Sequence, residues 1–283
     1  MSIISINYCH TVLHNQVQNH CFQLVTFGST MRVVSLVPSL TATLFDLGLD
    51  SNQVVGRTPW CIHPKDGVKE VMEIGGTKNP NLAKIRSLNP DLIVMDKEEN
   101  PLKIYNILSQ EGFEIFVSEV ESPNDVPLMI RKLGKACGKS NEGEKLAIAC
   151  ETALSETFRE KSGLKTVPLI WHKPLMAVSP KKYSGSILSH VGFEVVDTAP
   201  GGNGYPEVNV QDFLEFEIQL ILLTSEPHKF TLEEGEDIAK MIESAGGSRP
   251  RIELIDGEDL TWFGSRTKDA LVRLGNLKKN LQQ

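Results

Sequence analysis

The sequence predicts an α/β fold of two Rossmann-like lobes with mostly parallel sheets, joined by one long backbone helix. Three observations carry that expectation. Short apolar runs alternate with helical patterns from Arg32 onward, the arrangement that builds parallel sheets through right-handed crossovers. Two segments echo each other: Asp91-Leu-Ile-Val-Met95, helix, Gly112-Phe-Glu-Ile-Phe116 in the first half, and Gln219-Leu-Ile-Leu-Leu223, helix, Arg251-Ile-Glu-Leu-Ile255 in the second. Between them the alternation is interrupted once, by the longest helical stretch, Ser140 to Gly163. The expected divisions are an extension over 1–30, an N-terminal lobe over 31–139, the connecting helix over 140–163 and a C-terminal lobe over 164–283.

In chain order, Arg32 to Val37 reads as a short buried strand, and Pro38-Ser39 opens a helix with Ser39 as its cap. A strand at Gln53–Gly56, a turn-rich segment at Gly75–Asn81, a helix at Leu82–Leu88 and a buried strand at Leu92–Met95 follow. A helix over Pro101–Gln110 and a strand over Phe113–Val117 complete the first series. Val126, Ile130, Leu133 and Cys137 mark one face of the next helix. In the long helix, Ser140 is a suitable cap, and Leu146, Cys150, Ala153, Leu154 and Phe158 form an apolar stripe of helical period. Gly163 is its natural stop. The second half repeats the pattern: strands at Val167–Trp171, Phe193–Val196, Gln219–Thr224 and Arg251–Ile255, with helices at Ser184–His190, Asn209–Leu214 and Leu232–Glu243 and a terminal helix from Gly264 onward.

With 283 residues, 40% hydrophobic and 23% charged, the chain supports two cores. A net charge of −7 argues against nucleic acid or an anionic membrane as partner. A monomer is expected. No apolar run approaches the ~20 residues of a membrane span. His10, His14, Asn15, Gln16 and His20 stand where the apolar core of a secretory leader belongs. Five cysteines without paired spacing read as reduced thiols. The expected address is therefore cytoplasmic, unless the true start differs, Met31 being the other candidate, in which case a periplasmic or membrane-associated one is open.

Common catalytic signatures are missing: no Gly-x-Ser-x-Gly, no phosphate-binding Gly-x4-Gly-Lys-Ser/Thr, no His-Glu-x-x-His. The aromatic residues are more informative. Trp60, Trp171 and Trp262 all fall at or after the carboxyl ends of predicted strands, where open α/β sheets bind ligands. Phe263 and Tyr205 join them. Such walls suit a large, flat, partly apolar ligand. The helix-start amides around Ser39 and Asn81 are expected to point into the same crevice, and Arg57 is placed to donate a charged hydrogen bond there. Cys61, His63 and His172 offer donors for a transition metal, and His63 or His172 an axial contact to a metal held in a macrocycle. Glu98-Glu99 and Lys181-Lys182 read as solvated charge pairs, and Gly201–Gly204 as a flexible turn.

The run Arg32-Val-Val-Ser-Leu-Val-Pro-Ser-Leu-Thr-Ala-Thr-Leu-Phe-Asp-Leu-Gly48, then Val55-Gly56, Gly75-Gly76-Thr77, Asn81-Leu82, and Leu88-Asn-Pro-Asp-Leu-Ile-Val94, resembles the helical-backbone substrate-binding proteins of ABC importers. The likeness extends to Thr261-Trp262-Phe263 and is closest to the cobalamin-binding branch. It implies a protein that is not an enzyme, requires no cofactor, and holds cobalamin or a related metal chelate (haem, an iron–siderophore) between two lobes, with an ABC permease as partner. It further implies that Trp60 and Trp262-Phe263 face the corrin, with Thr77 where a tryptophan is expected. The lobe-tip carboxylates that dock on a permease fall at Ala83 and Gln211, with Asp212 adjacent. Two alternatives stand beside this: a metal-ion binder using His and Cys ligands, and a cytoplasmic enzyme of cofactor metabolism on the same fold.

Overall fold

The computed structural model describes residues 30–161 and 163–281; the proposed extension lies almost wholly outside them. In the first lobe, elements run β1 (Val33–Ser35), α1 (Pro38–Asp46), β2 (Val54–Arg57), β3 (Met72–Glu73), α2 (Leu82–Ser87), β4 (Leu92–Asp96), α3 (Leu102–Gln110) and β5 (Ile115–Ser118). The sheet is parallel throughout, in the order β3-β2-β1-β4-β5. Val33 stands opposite Leu92 and Ser35 opposite Val94. The strand order reverses between β1 and β4, so the loops after those two strands part and leave a crevice at their carboxyl ends.

After a short 3-10 turn at Pro123–Asp125 come α4 (Val126–Ala136) and α5 (Ser140–Thr157). The second lobe then runs β6 (Lys165–Trp171), β7 (Met176–Ala177), α6 (Tyr183–His190), β8 (Glu194–Val195), α7 (Val210–Glu215), β9 (Leu220–Thr224), α8 (Leu232–Ser244), β10 (Arg251–Ile255), α9 (Gly257–Thr261) and α10 (Thr267–Leu281). Its sheet has the order β10-β9-β6-β7, with β8 also on β6. Among the described strand pairs of this sheet, β6–β7 is the antiparallel one. The fold class expected from the sequence therefore holds.

The connecting helix is shorter than its apolar period suggests. It ends at Thr157, not Gly163. Phe158 turns extended (φ −57°, ψ 131°), and the Arg159 N–H donates to the His190 carbonyl at 3.1 Å, leading the chain toward β6. Ser140 is the first helical residue rather than the cap, a position taken by Lys139 without a side-chain bond. Likewise Val37, not Ser39, caps α1, and Pro38 fills its first position.

Each lobe has a core of its own, around Ile93 and Met95 in the first and Ile221 and Phe213 in the second, and a further core spans both. A single buried cluster joins Val33, Leu44 and Val94 of the first lobe to Ala147 and Cys150 of α5, Leu188 and Leu222 of the second lobe and Leu271 of α10. Arg131 of α4 clamps α5 through Glu144 and Glu151, at 2.8 and 2.6 Å. Interiors packed in this way resist deformation, so the connection is a seam rather than a hinge. Among the described residues no helix is long and apolar enough to cross a membrane.

Candidate functional site: the cleft between the lobes

A cavity of about 450 Å³ opens between the lobes. From the first lobe it is lined by Val37, Pro38 and Ser39 after β1, Trp60 and Ile62 after β2, Thr77, and Glu99 after β4. From the second it is lined by Glu226 and Pro227 after β9, by Thr261 at the end of α9, and by Trp262 and Phe263 after it. Trp60 is 65% exposed, whereas Trp262 is only 6% exposed. One wall thus stands in solvent, waiting to be covered, while the other is built into the protein.

Local hydrogen bonding explains how each wall is held. After β4 the Asp96 carboxylate accepts the N–H groups of Glu98 and Glu99 at 2.9 and 3.0 Å, an Asx turn that tightens the loop. Asn100 closes it, accepting from the Asp96 N–H and donating to the Thr77 carbonyl. Thr77 and Glu99 are therefore fixed together at the cavity wall. Across the cleft, Glu226 accepts from Thr261 Oγ1 at 2.6 Å and from Trp262 Nε1 at 2.9 Å. Gly257 lets this happen: a Cβ there would stand 2.3 Å from Glu226 Cγ and 2.7 Å from its backbone nitrogen.

Both cleft carboxyls are pushed above the ordinary carboxylate range. Burial is the main cause for Glu99, with Lys78 opposing and Asp96, Glu98 and Glu226 adding to it. Burial also dominates at Glu226, opposed by its bond from Thr261. Desolvation and like charge disfavour the ionised form in this way. No Lys, Arg or His is among the described residues that line the cavity.

Of the residues singled out from sequence, Ser39, Trp60, Thr77, Trp262 and Phe263 meet in this cavity. Four others do not line it. Arg57 is buried, and its guanidinium donates to the carbonyls of Val68 and Thr58 and pairs with Glu73; it holds the 58–68 loop instead of facing a ligand. His63 bonds both oxygens of Glu258 at 3.0 and 3.1 Å, and Arg266 completes that cluster at 2.6 Å. The Tyr205 hydroxyl donates to Glu98, which also pairs with Lys182 at 2.6 Å. His63 and Tyr205 are thus members of two polar latches that tie one lobe to the other. Trp171 donates its Nε1 to the Lys173 carbonyl and packs edge-on to His228.

The metal set Cys61, His63 and His172 is not assembled. Cys61 is buried between Thr41 and Thr58, and its burial raises the thiol's pKa. His172 pairs instead with Glu234 in the first turn of α8. Sequence reasoning passed over Glu226 and read Glu99 as a solvated charge. The internal echo held a signal: each glutamate follows its buried strand by two or three residues.

The model of the periplasmic binding protein family matches residues 33–247. The chain belongs to that family. Among its relatives is a vitamin B12-binding protein of Vibrio campbellii, 23% identical over 190 residues, 66% of this chain and 68% of that one. The fold is similar to that of the periplasmic vitamin B12-binding protein BtuF of Vibrio cholerae, with a TM-score of 0.74 at 19% identity, covering 89% of this chain and 98% of that one. It is also similar to the periplasmic haem-binding protein RhuT of Roseiflexus, with a TM-score of 0.73 at 21% identity, covering 87% and 97%. The expected cytoplasmic address is corrected by these matches: it rested on residues 1–30 and on cysteines without paired spacing, whereas the folded chain is that of a periplasmic binding protein. The family is one of binding proteins, which favours binding over catalysis.

Proposed function

We propose that this periplasmic binding protein takes a corrinoid into the cleft between its lobes, by stacking against Trp60, Trp262 and Phe263, and that it performs no bond-making chemistry. The observation that carries the choice of ligand is the charge of the lining. Two carboxyls face the cavity, and among the described lining residues no cation does. Haem would bring the negative charge of its propionates against Glu99 and Glu226, whose own ionised forms burial already disfavours, and among the described lining residues there is no imidazole to reach its iron. A corrinoid presents uncharged carboxamides around a cationic metal centre. Those amides hydrogen-bond to a carboxyl in either protonation state. The names of the B12-binding relatives support the same reading.

In this reading 31–139 and 164–283 act as two rigid jaws, with 140–163 and the shared core restraining closure. An ABC permease is the natural receiver of the ligand. Its docking surface here lacks the carboxylates expected at Ala83 and Gln211, which are exposed near the starts of α2 and α7. Asp212 does not replace them freely, because its carboxylate accepts the Asn209 N–H at 2.7 Å in a capping box. Parallel calorimetric titrations with hydroxocobalamin and haemin test the ligand assignment. One-to-one corrinoid binding at least ~100-fold tighter than haemin, a difference of about 2.7 kcal/mol, is expected. Equal or tighter haemin binding would overturn it.

A further inference from the structure

The carboxyl end of β6, the turn after β9 and the first turn of α8 bring together a donor set that the cleft does not use. His172 Nδ1 lies 2.9 Å from Glu234 Oε1, and His228 Nε2 lies 3.1 Å from the same oxygen. All three donor atoms lie within 4.8 Å of one another. Among the described residues no other group of three or more His, Cys, Asp or Glu side chains is so placed. We propose that His172, His228 and Glu234 form a transition-metal site, matched best to Zn²⁺.

Geometry supports this first. Tetrahedral bonds of about 2.0–2.1 Å set neighbouring donors roughly 3.3 Å apart, so the two His–Glu separations need to open by only a few tenths of an ångström. The carboxylate is already oriented for the task. Glu234 Oε2 accepts from the Thr231 N–H at 2.8 Å and from Thr231 Oγ1 at 3.3 Å, which leaves Oε1 turned to the imidazoles. Ligating carboxylates are characteristically held by such outer bonds.

The imidazole planes are braced as well. Phe230 lies edge-on to His228 at 4.6 Å and tilted against His172 at 5.9 Å. Side-chain exposures of 25%, 29% and 24% for His172, His228 and Glu234 leave an entry path from solvent. Two imidazoles and one carboxylate suit zinc and its neighbours, whereas magnesium and calcium demand oxygen ligands. Three protein donors leave the fourth position open to water or an external ligand. His228 belongs to the same turn as Glu226 and Pro227 of the cleft wall, so an ion bound here would brace that wall.

The alternative is a metal-free His–Glu–His hydrogen-bond network. Calorimetric titration of Zn²⁺ and of Mg²⁺ into the full chain separates the two. One Zn²⁺ per chain and no Mg²⁺ binding are expected, with Zn²⁺ affinity at least ~10-fold weaker in His172→Gln and in His228→Gln and unchanged in His190→Gln. Unchanged affinity in both site variants would assign the ion to other donors, such as His10, His14 and His20, and would overturn the site. So would the absence of Zn²⁺ binding by folded protein. Should the variants fail to fold, Co²⁺-loaded wild-type protein gives a second reading: intense visible bands of tetrahedral cobalt are expected, and weak octahedral bands would overturn the assignment. Neither readout involves a corrinoid, so it stands or falls apart from the cleft.

Discussion

Truncating Trp60 to alanine separates the binding wall from the fold. The residue is 65% exposed, and an aromatic side chain of about 150–250 Å² then retains roughly 100–160 Å² for a ligand to cover. At ~25 cal/mol per Å² that area corresponds to about 2.5–4 kcal/mol, an upper limit because part is lost in ordering the complex. An affinity loss of about 2–3 kcal/mol remains, which is roughly 30- to 150-fold. Stability should barely move, because exposed substitutions usually fall within ~0.5 kcal/mol, or about 1–2 °C in Tm for a chain of this size. The assay is hydroxocobalamin calorimetry on both proteins, with thermal melts in parallel. Unchanged affinity with an unchanged melt would refute the stacking argument, since the exposed wall would then be covered by nothing.

Three further outcomes follow from the cleft and its seam. Glu226 has its pKa raised by burial above the ordinary 4.5, so the folded state holds its proton longer than the unfolded one, and ionisation at higher pH costs stability; Glu226→Gln should therefore gain stability relative to wild type as pH rises from about 4 to 7, and a pH-independent difference in urea midpoints would contradict this. Gly264 sits at φ +109°, and a Cβ there would meet Thr43 Oγ1 at 2.3 Å; Gly264→Ala should cost at least ~1–3 kcal/mol in backbone strain, lowering Tm by roughly 2–12 °C, and an unchanged melt would count against the seam geometry. Glu258→Gln removes the carboxylate that joins His63 to Arg266, a loss of about 1.5–3 kcal/mol; hydrogen exchange near residues 60–63 should quicken, and unchanged protection there would mean the latch does not hold the lobes.

Much of the fold was legible because its signals are local. The buried run Leu92–Asp96 and its echo Leu220–Thr224 declare strands by composition, and the intervening helices by period. The end of α5 was not legible, because Phe158 continues the apolar stripe while a distant partner, the His190 carbonyl, draws the chain away. Strand-end position identified three tryptophans but not where their rings point: Trp60 and Trp262 line the cavity, while Trp171 is drawn to Lys173 and His228. Arg57, His63 and Tyr205 are polar groups beside the cleft whose partners, Glu73, Glu258 and Glu98, are set by tertiary packing. Glu99 and Glu226 owe their character to burial on opposite walls, a property that exists only once the lobes meet. The donors His172, His228 and Glu234 are spread over three elements, and only His172 stood out in the sequence.

The most direct measurement is a crystal structure of the protein grown with hydroxocobalamin at saturating concentration. The corrin ring is expected between Trp60 and Trp262-Phe263, with its carboxamides within hydrogen-bond distance of Glu99 and Glu226. A corrinoid bound elsewhere on the surface, or an empty cleft at saturating ligand, would contradict the cleft as the binding site.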